Sequence, residues 1–219
     1  MASATRSPAG HVLIANGSPF TFVGERLWLD FVNSNDAAHA RGAAYRDALD
    51  SFEGFVGWLS AAGILDDERA HSLVRRAQQQ PTGSSAALHE ARRLRSVLRA
   101  LAERGEALNE RTTETAVAEI NRVLGRSTGT RRVEPRTDGG FVRSFVTAGD
   151  VFAGLMIPVI ESAADGLVSG ELDRIRKCAD PRCARVFYDG SRNGKRRWCD
   201  MKTCGNRAKA ARHRGKIRG

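Results

Sequence analysis

The stretch from Cys178 to Arg207, CADPRCARVFYDGSRNGKRRWCDMKTCGNR, contains all four cysteines of the 219-residue chain. They form two pairs of equal spacing, Cys178-x4-Cys183 and Cys199-x4-Cys204, and fifteen residues separate the pairs. Two close pairs joined by an insert of hairpin length can bring four thiolates to one tetrahedral centre, as in structural zinc sites with Zn–S bonds of about 2.3 Å. We therefore predict one structural Zn²⁺ bound by all four cysteines.

Disulfides and a redox-active pair are the alternatives for these cysteines. The first twenty residues contain too short an apolar stretch for a signal peptide, and no run of 18 apolar residues occurs. We therefore expect a cytoplasmic protein with no membrane span, whose thiols stay reduced. Neither pair has the Cys-x-x-Cys spacing typical of redox-active cysteines. A segment of about 45 residues buries too little apolar surface to fold alone, so we expect its folding to require the metal.

The residues between the cysteine pairs predict a β-hairpin. Residues 185–188 and 195–198 have strand-like composition, and the turn-forming sequence DGSRNG at 189–194 separates them. Such a hairpin would carry Cys183 and Cys199 back toward each other, and Phe187 and Trp198 would cover one side of the metal.

A helix is expected after the hairpin. Asp200 or Thr203 can cap it, and it would run from about Thr203 to Arg214 with Cys204 in its first turn, where the helix dipole favours a thiolate. The order of knuckle, hairpin and helix predicts a small treble-clef-like zinc finger.

The charge distribution divides the chain near residue 174. Residues 174–219, called the finger segment below, contain 16 Lys or Arg and 3 Asp or Glu, a net charge of +13, whereas residues 1–173 have a net charge of −3. We therefore predict two domains with these bounds. A charge of +13 on a rigid metal-centred fold predicts phosphate binding.

Duplex DNA is the favoured partner. Asn206 and Arg207, near the start of the helix, are predicted to reach base edges, because Asn suits adenine and Arg suits guanine. RNA-binding modules usually stack bases on aromatic side chains, and Tyr188 is the main candidate for an exposed one. RNA, an acidic protein surface and a merely basic tail remain open as alternatives. The predicted nucleic-acid-binding residues are Arg192, Lys195, Arg196, Arg197, Lys202, Asn206, Arg207, Lys209, Arg212 and Arg214.

Two sequence motifs resemble known families. The run Cys199–Lys209, with the preceding Arg196-Arg197-Trp198, resembles the bacterial CGNR zinc finger, named for Cys204-Gly205-Asn206-Arg207. The sequence LWLDFVN at 27–33 resembles the LDF-x-N signature of the ABATE domain, with Ser34 where Thr is expected. Together the resemblances cover nearly the whole chain. They imply a zinc-dependent, DNA-binding bacterial transcription regulator, associated with the nucleoid, whose four cysteines are the metal ligands.

The residues before the finger segment predict a mainly α (α+β) fold. Apolar residues recur at helical spacing in several segments, the last of which is apolar nearly all round and is expected to bend at Pro158. That last helix could be a homodimer interface or could be buried within one subunit. Short strands are expected in His11–Val23, and a hairpin with a Gly-rich turn in Arg131–Thr147. The predicted helices are Glu25–Asn33, one from Ser51 to Gly63, Asp66–Gln79, Ser84–Gly105, Thr112–Leu124 and Val151–Leu167.

Trp28, Asp30 and Asn33 are the candidate ligand pocket of the N-terminal part. Asp30 and Asn33 are three residues apart in an apolar segment, so both are expected to face one semi-buried groove. They either bind neighbouring backbone groups or bind a small-molecule effector. Catalysis is not expected, because the five histidines are scattered and no HExxH, GxSxG or phosphate-loop motif is present.

Overall fold

The computed structural model describes residues 20–35, 47–103, 110–126, 128–135 and 140–218. The helices there are α1 (Leu27–Val32), α2 (Phe52–Ala61), α3 (Asp67–Gln79), α4 (Pro81–Ala102), α5 (Glu110–Arg126), α6 (Ile157–Val168) and α7 (Asn206–Arg218). The strands are β1 (Gly129–Pro135), β2 (Phe141–Thr147), β3 (Ile175–Lys177) and β4 (Val186–Tyr188), in two antiparallel pairs. A 3-10 turn, Glu171–Arg174, precedes β3, and a π-helical turn, Met201–Gly205, precedes α7. The predicted mainly α class with small hairpins is confirmed.

Local capping sets where the helices of the N-terminal part begin. The Ser51 hydroxyl accepts a hydrogen bond from Gly54 N at 3.0 Å, and Asp66 Oδ1 accepts one from Arg69 N at 2.7 Å. These caps satisfy backbone donors that have no partner inside the helix. Helix α4 begins at Pro81, three residues before the predicted Ser84, because proline in the first turn lacks only an N–H that would be unpaired there.

The short helix α1 lies at the centre of the apolar core. Five of its six side chains are buried. The Phe31 and Trp58 rings meet edge to face with centroids 5.2 Å apart, and Phe55 on α2 is 0% exposed. A helix of six residues has little stability by itself, so this burial is what holds it in place. It contacts α4 and α6 on the N-terminal side and β4 in the finger segment.

Helix α6 differs from the prediction. The predicted helix Val151–Leu167 with a kink is wrong, because residues 151–156 form turns and the helix begins at Ile157 with Pro158 in its first turn. Val159 and Ile160 are fully buried in the same chain, where α6 contacts α1 and α5. Burial within one subunit therefore accounts for the apolar sequence of this helix.

The β1–β2 hairpin agrees with the prediction. The two strands pair from Gly129 with Thr147 to Pro135 with Phe141, and the turn residues 136–139 lie outside the described part of the chain. The strands predicted in His11–Val23 lie largely outside it as well; residues 20–23 are described and contain no strand. None of the described helices is both long and apolar enough to cross a lipid bilayer.

The hairpin of the finger segment has a different partner from the predicted one. Strand β4 pairs with β3, which precedes the first cysteine, with Ile175 opposite Tyr188 and Lys177 opposite Val186. Residues 195–198 form no strand, so the predicted pairing of 185–188 with 195–198 is wrong. No pattern in the sequence predicts β3, because a strand of three residues is too short to show an alternation of apolar and polar residues.

Candidate metal centre and its contacts with the N-terminal part

The four cysteine sulfurs meet at one point. Their Sγ atoms all lie within 4.8 Å of one another, and the Cys183–Cys199 and Cys199–Cys204 Sγ distances are both 3.7 Å. Ligands about 2.3 Å from a tetrahedral Zn²⁺ are separated by about 3.8 Å, whereas a disulfide has an S–S distance of about 2.0 Å. The sulfurs thus have the spacing of a zinc site and are too far apart for disulfides. Cys178 completes a donor set of four thiol groups, which suits zinc.

Aspartates close both x4 loops around the sulfurs. In the first loop, Asp180 is 4% exposed, its Oδ1 accepts from Arg182 N at 3.0 Å, and its carbonyl oxygen accepts from Cys183 N at 2.8 Å. In the second, the Asp200 carboxylate accepts from Lys202 N and Thr203 N, each at 3.1 Å. The cap expected at Asp200 is therefore present. It begins a π-helical turn that contains Cys204, so the predicted helix from Thr203 is wrong in its start, and α7 begins at Asn206.

The residues that follow Cys204 support the metal centre. A Cβ at Gly205 would lie 2.5 Å from Met201 Sδ, so a larger residue there would require the half-exposed Met201 side chain to move. Arg207 Nη2 donates to Cys204 Sγ at 3.0 Å, and Arg207 Nε lies 2.8 Å from Asp180 Oδ2. Burial lowers the pKa of Arg207, but its contacts with Cys204 and Asp180 raise it more, and the net pKa is above the ordinary value. Arg207 therefore links the second cysteine pair to the loop of the first.

The charge of the sulfur cluster explains the nearby cations. Four adjacent thiolates repel one another unless a cation lies among them. Hydrogen bonding to Cys183 and Cys199 holds the pKa of Cys178 far below its usual range, whereas hydrogen bonding to Cys178 raises the pKa of Cys183 to about 12 and that of Cys199 higher still. Zinc with four thiolates has a net charge of −2, so a cation such as Arg207 against a ligand sulfur is favourable.

Asp189 organises the turn between the cysteine pairs. It is 0% exposed; its Oδ1 accepts from Ser191 N at 2.9 Å, and its Oδ2 accepts from Arg196 N at 2.8 Å. Burial raises the pKa of Asp189, but the hydrogen bond from the Ser191 hydroxyl and the two backbone bonds lower it more, and the net pKa is below the usual range. Arg196 also donates to the Cys199 carbonyl and lies over the Phe187 ring at 4.6 Å. The Asx-turn residues of 189–194 are the sequence signal for this arrangement. Phe187 and Trp198 pack against the cysteines as predicted.

Asn33 joins the N-terminal part to the finger segment. Its Nδ2 donates to the Val186 carbonyl at 2.7 Å, and its Oδ1 accepts from Val186 N at 3.0 Å. The side-chain amide thus pairs with β4 as a neighbouring strand would. Tyr188 N extends this pairing by donating to the Gly24 carbonyl at 2.9 Å. The edge of β4 that faces away from β3 is therefore bonded to residues on either side of α1.

Asp30 contributes a buried carboxyl group to this contact. It is 5% exposed, and its Oδ1 accepts from Gly24 N at 2.7 Å. Burial raises the pKa of Asp30 to about 7, although the backbone bonds and the charge of Arg185 oppose the shift. Arg185 is itself 4% exposed, so a carboxyl group and a guanidinium are buried between the two parts of the chain.

Of the predicted ligand-pocket residues, Asp30 and Asn33 lie against the finger segment, whereas the Trp28 ring lies against α6, where an added Cβ at Gly166 would be 3.3 Å from its Nε1. Trp28, Asp30 and Asn33 are 1%, 5% and 2% exposed, and the hydrogen bonds given above for Asp30 and Asn33 are to backbone groups. Their role in binding an effector stays a prediction.

Arginine and glutamate side chains contribute further links that sequence reasoning missed. Arg99 on α4 donates to the carbonyls of Val32 at 2.6 Å and of Ala184 at 3.2 Å. Glu25 forms an ion pair with Arg196. These partners are far apart in the chain, so no local pattern indicates them.

The ten predicted nucleic-acid-binding residues fall into two groups. Arg196 and Arg207 are partly buried and have the internal partners described above. Asn206 is exposed, and its Nδ2 donates to the Lys202 carbonyl at 3.1 Å. The residues of the exposed group form a basic surface around the metal centre and along α7: Arg192, Lys195, Arg197, Lys202, Asn206, Lys209, Arg212 and Arg214.

Comparison with known families agrees with the fold and the site. The model of the CGNR zinc finger matches residues 174–216. The model of the ABATE family, described as "Putative stress-induced transcription regulator", matches residues 25–170. No curated protein gave a significant match to the chain. Both resemblances noted in the sequence are thereby confirmed, and the four clustered cysteines form the zinc site of the finger. The chain belongs to the ABATE family and ends in a CGNR zinc finger.

Proposed function

We propose that this protein regulates transcription by binding duplex DNA through the basic surface of its zinc finger. The observation that carries the proposal is the placement of α7. Its residues Lys209–Arg214 are all exposed, they include three Lys or Arg and no acidic residue, and the helix begins two residues after a metal ligand. The family descriptions, a transcription regulator and a zinc finger, support this function and name no enzyme.

The metal centre would act by positioning the helix. Arg207, in the first turn of α7, is bound to Cys204 and Asp180, so the orientation of α7 depends on both cysteine pairs. Lys209 and Arg212 are three residues apart and therefore project from one face of the helix. A cationic face held at a fixed angle loses less conformational entropy on binding phosphates than a flexible basic tail does. We assign Arg207 to this positioning role and the DNA contacts to the eight exposed residues.

Salt dependence tests whether phosphates are bound. Fluorescence anisotropy with a duplex oligonucleotide should give a plot of log K against log salt with a slope near −5 if about six phosphates are contacted. The double variant Lys209→Gln/Arg212→Gln should reduce the magnitude of the slope by about 2. Arg75→Gln removes an exposed charge from α3 and is the matched control, with no expected change. A slope near zero for the unmodified protein would rule out the proposal.

Competition distinguishes DNA from the other partners. Single-stranded RNA of the same length should displace the labelled duplex less effectively than unlabelled duplex does. Equal or better displacement by RNA would favour an RNA-binding function instead. Sensing of an effector and assembly into a homodimer are further parts of the proposal for the N-terminal part, and sedimentation analysis tests the second.

A further inference from the structure

A cavity lies on the N-terminal part of the chain, between α3, β2 and the turns at 151–156. Its volume is about 250 Å³. Leu73, Phe145 and Leu155 are among the residues that form its apolar wall, and Leu73 and Leu155 are 8% and 7% exposed. The Trp28, Asp30 and Asn33 side chains do not line it. The family descriptions do not mention it.

Arginine side chains give this cavity a positive charge. Arg69, Ser72 and Arg76 also line it, on one face of α3, and no acidic residue is among its lining residues. Arg69 Nη1 lies 3.5 Å from Glu134 Oε2, and both side chains are about one-third exposed. Arg76 is exposed and has no ion-pair partner among the described residues. The Arg76 guanidinium is therefore available to an anion at the edge of an apolar space.

We infer that this cavity binds a small organic monoanion with an apolar body, such as an aromatic or a medium-chain carboxylate. The apolar wall would remove the body of the ligand from water, and Arg76 would bind the carboxylate, for which the planar guanidinium is well suited. Pockets for drug-sized ligands have volumes of about 300–1,000 Å³. A volume of about 250 Å³ therefore suits one ring or one chain of medium length.

This inference goes beyond DNA binding and does not depend on it. The cavity lies on a different part of the chain from the basic surface around the metal centre, and its occupancy can be measured without nucleic acid. A negative result here would leave the proposed function of the finger segment intact.

Calorimetric titration of the full zinc-loaded chain tests the site. The probes are benzoate and octanoate, compared with the uncharged benzyl alcohol and octan-1-ol. We expect at least one of the two anions to bind with one site per chain, about tenfold more tightly than its alcohol, since a hydrogen bond to a charged group is worth about 1.5 kcal/mol.

Two α3 variants separate this site from general attraction of anions to a basic protein. Arg76→Gln should weaken binding of the anion about tenfold, whereas Arg75→Gln removes the neighbouring exposed charge, which does not line the cavity, and should leave affinity unchanged. Ser72→Phe should abolish binding by filling the cavity. Any one of three results would overturn the inference. They are equal affinities of the two arginine variants for the anion, equal affinities of the unmodified protein for an anion and its alcohol, and no binding of either anion at millimolar concentration.

Discussion

Replacing Asn33 with alanine tests whether the N-terminal part and the finger segment stabilise each other. The change removes both hydrogen bonds between the Asn33 amide and the Val186 backbone, at 2.7 and 3.0 Å. Asn33 is 2% exposed and Val186 is 0% exposed, so water cannot readily replace the lost partner. Each unsatisfied backbone group costs about 1–3 kcal/mol, so the two groups give an expected loss of about 2–6 kcal/mol in the free energy of unfolding.

Urea unfolding followed by tryptophan fluorescence measures this loss. Trp28 and Trp58 lie in the N-terminal core, and a Trp198→Phe background in every variant removes the emission of the finger segment, so the signal then reports on the N-terminal part. The matched control is Gln78→Ala, which removes an exposed side-chain amide from α3 and should change stability by less than about 0.5 kcal/mol.

A chelator provides the second half of the experiment. If metal removal unfolds the finger segment, Val186 no longer pairs with Asn33. Without zinc, the Asn33→Ala variant should therefore unfold at the same urea concentration as the unmodified protein. The reasoning would be refuted by a loss below about 0.5 kcal/mol with zinc present, or by an equal loss with and without zinc.

Three other perturbations follow from the same geometry. Zinc removal should unfold residues 174–218, seen as loss of circular dichroism and of protease resistance; an unchanged signal would contradict the metal requirement. Arg207→Gln should weaken zinc binding about 10- to 100-fold in a competition with a chromophoric chelator, because Arg207 binds the Cys204 sulfur. Lys209→Gln changes an exposed residue and should leave zinc affinity unchanged. Equal zinc affinities of the two variants would argue against the role of Arg207. Native Asp30, whose pKa is raised to about 7 from 3.8, keeps its proton between these pH values while the unfolded chain loses it. The free energy of unfolding of the unmodified protein, relative to that of Asp30→Asn, should therefore fall by up to about 1.4 kcal/mol per pH unit as pH rises from 4 to 7. If the two proteins differ in unfolding free energy by the same amount at pH 5 and at pH 7, the pKa shift is excluded.

Local patterns were enough to predict the helical class and the metal ligands. The spacing of four cysteines within 27 residues indicates a metal site, since nearby ligands need little loop closure to meet. The helices predicted to start at Ser51 and Asp66 do begin there, with these residues as caps, because a cap is formed by residues within three positions of each other.

The tertiary structure decided which residues are free to bind a partner. Arg196 and Arg207 belong to the same basic sequence as Lys209 and Arg212, and composition cannot separate the internal pair from the exposed pair. The Arg207 side chain contacts Cys204 and Asp180, and the Arg196 side chain contacts Glu25 and the Cys199 carbonyl, and these contacts make that distinction. They depend on the path of the backbone around the metal centre.

The sequence by itself determined the secondary-structure class, the zinc ligands and the location of positive charge, because these follow from neighbouring residues. Only the folded chain decided the strand partner of β4, the start of α6 and the role of Asn33. Asn33 and Val186 are 153 positions apart, and their pairing arises from the packing of α1 against β4. Contacts between residues so distant in the chain depend on how all the elements pack together, and no local pattern of residue types records that packing.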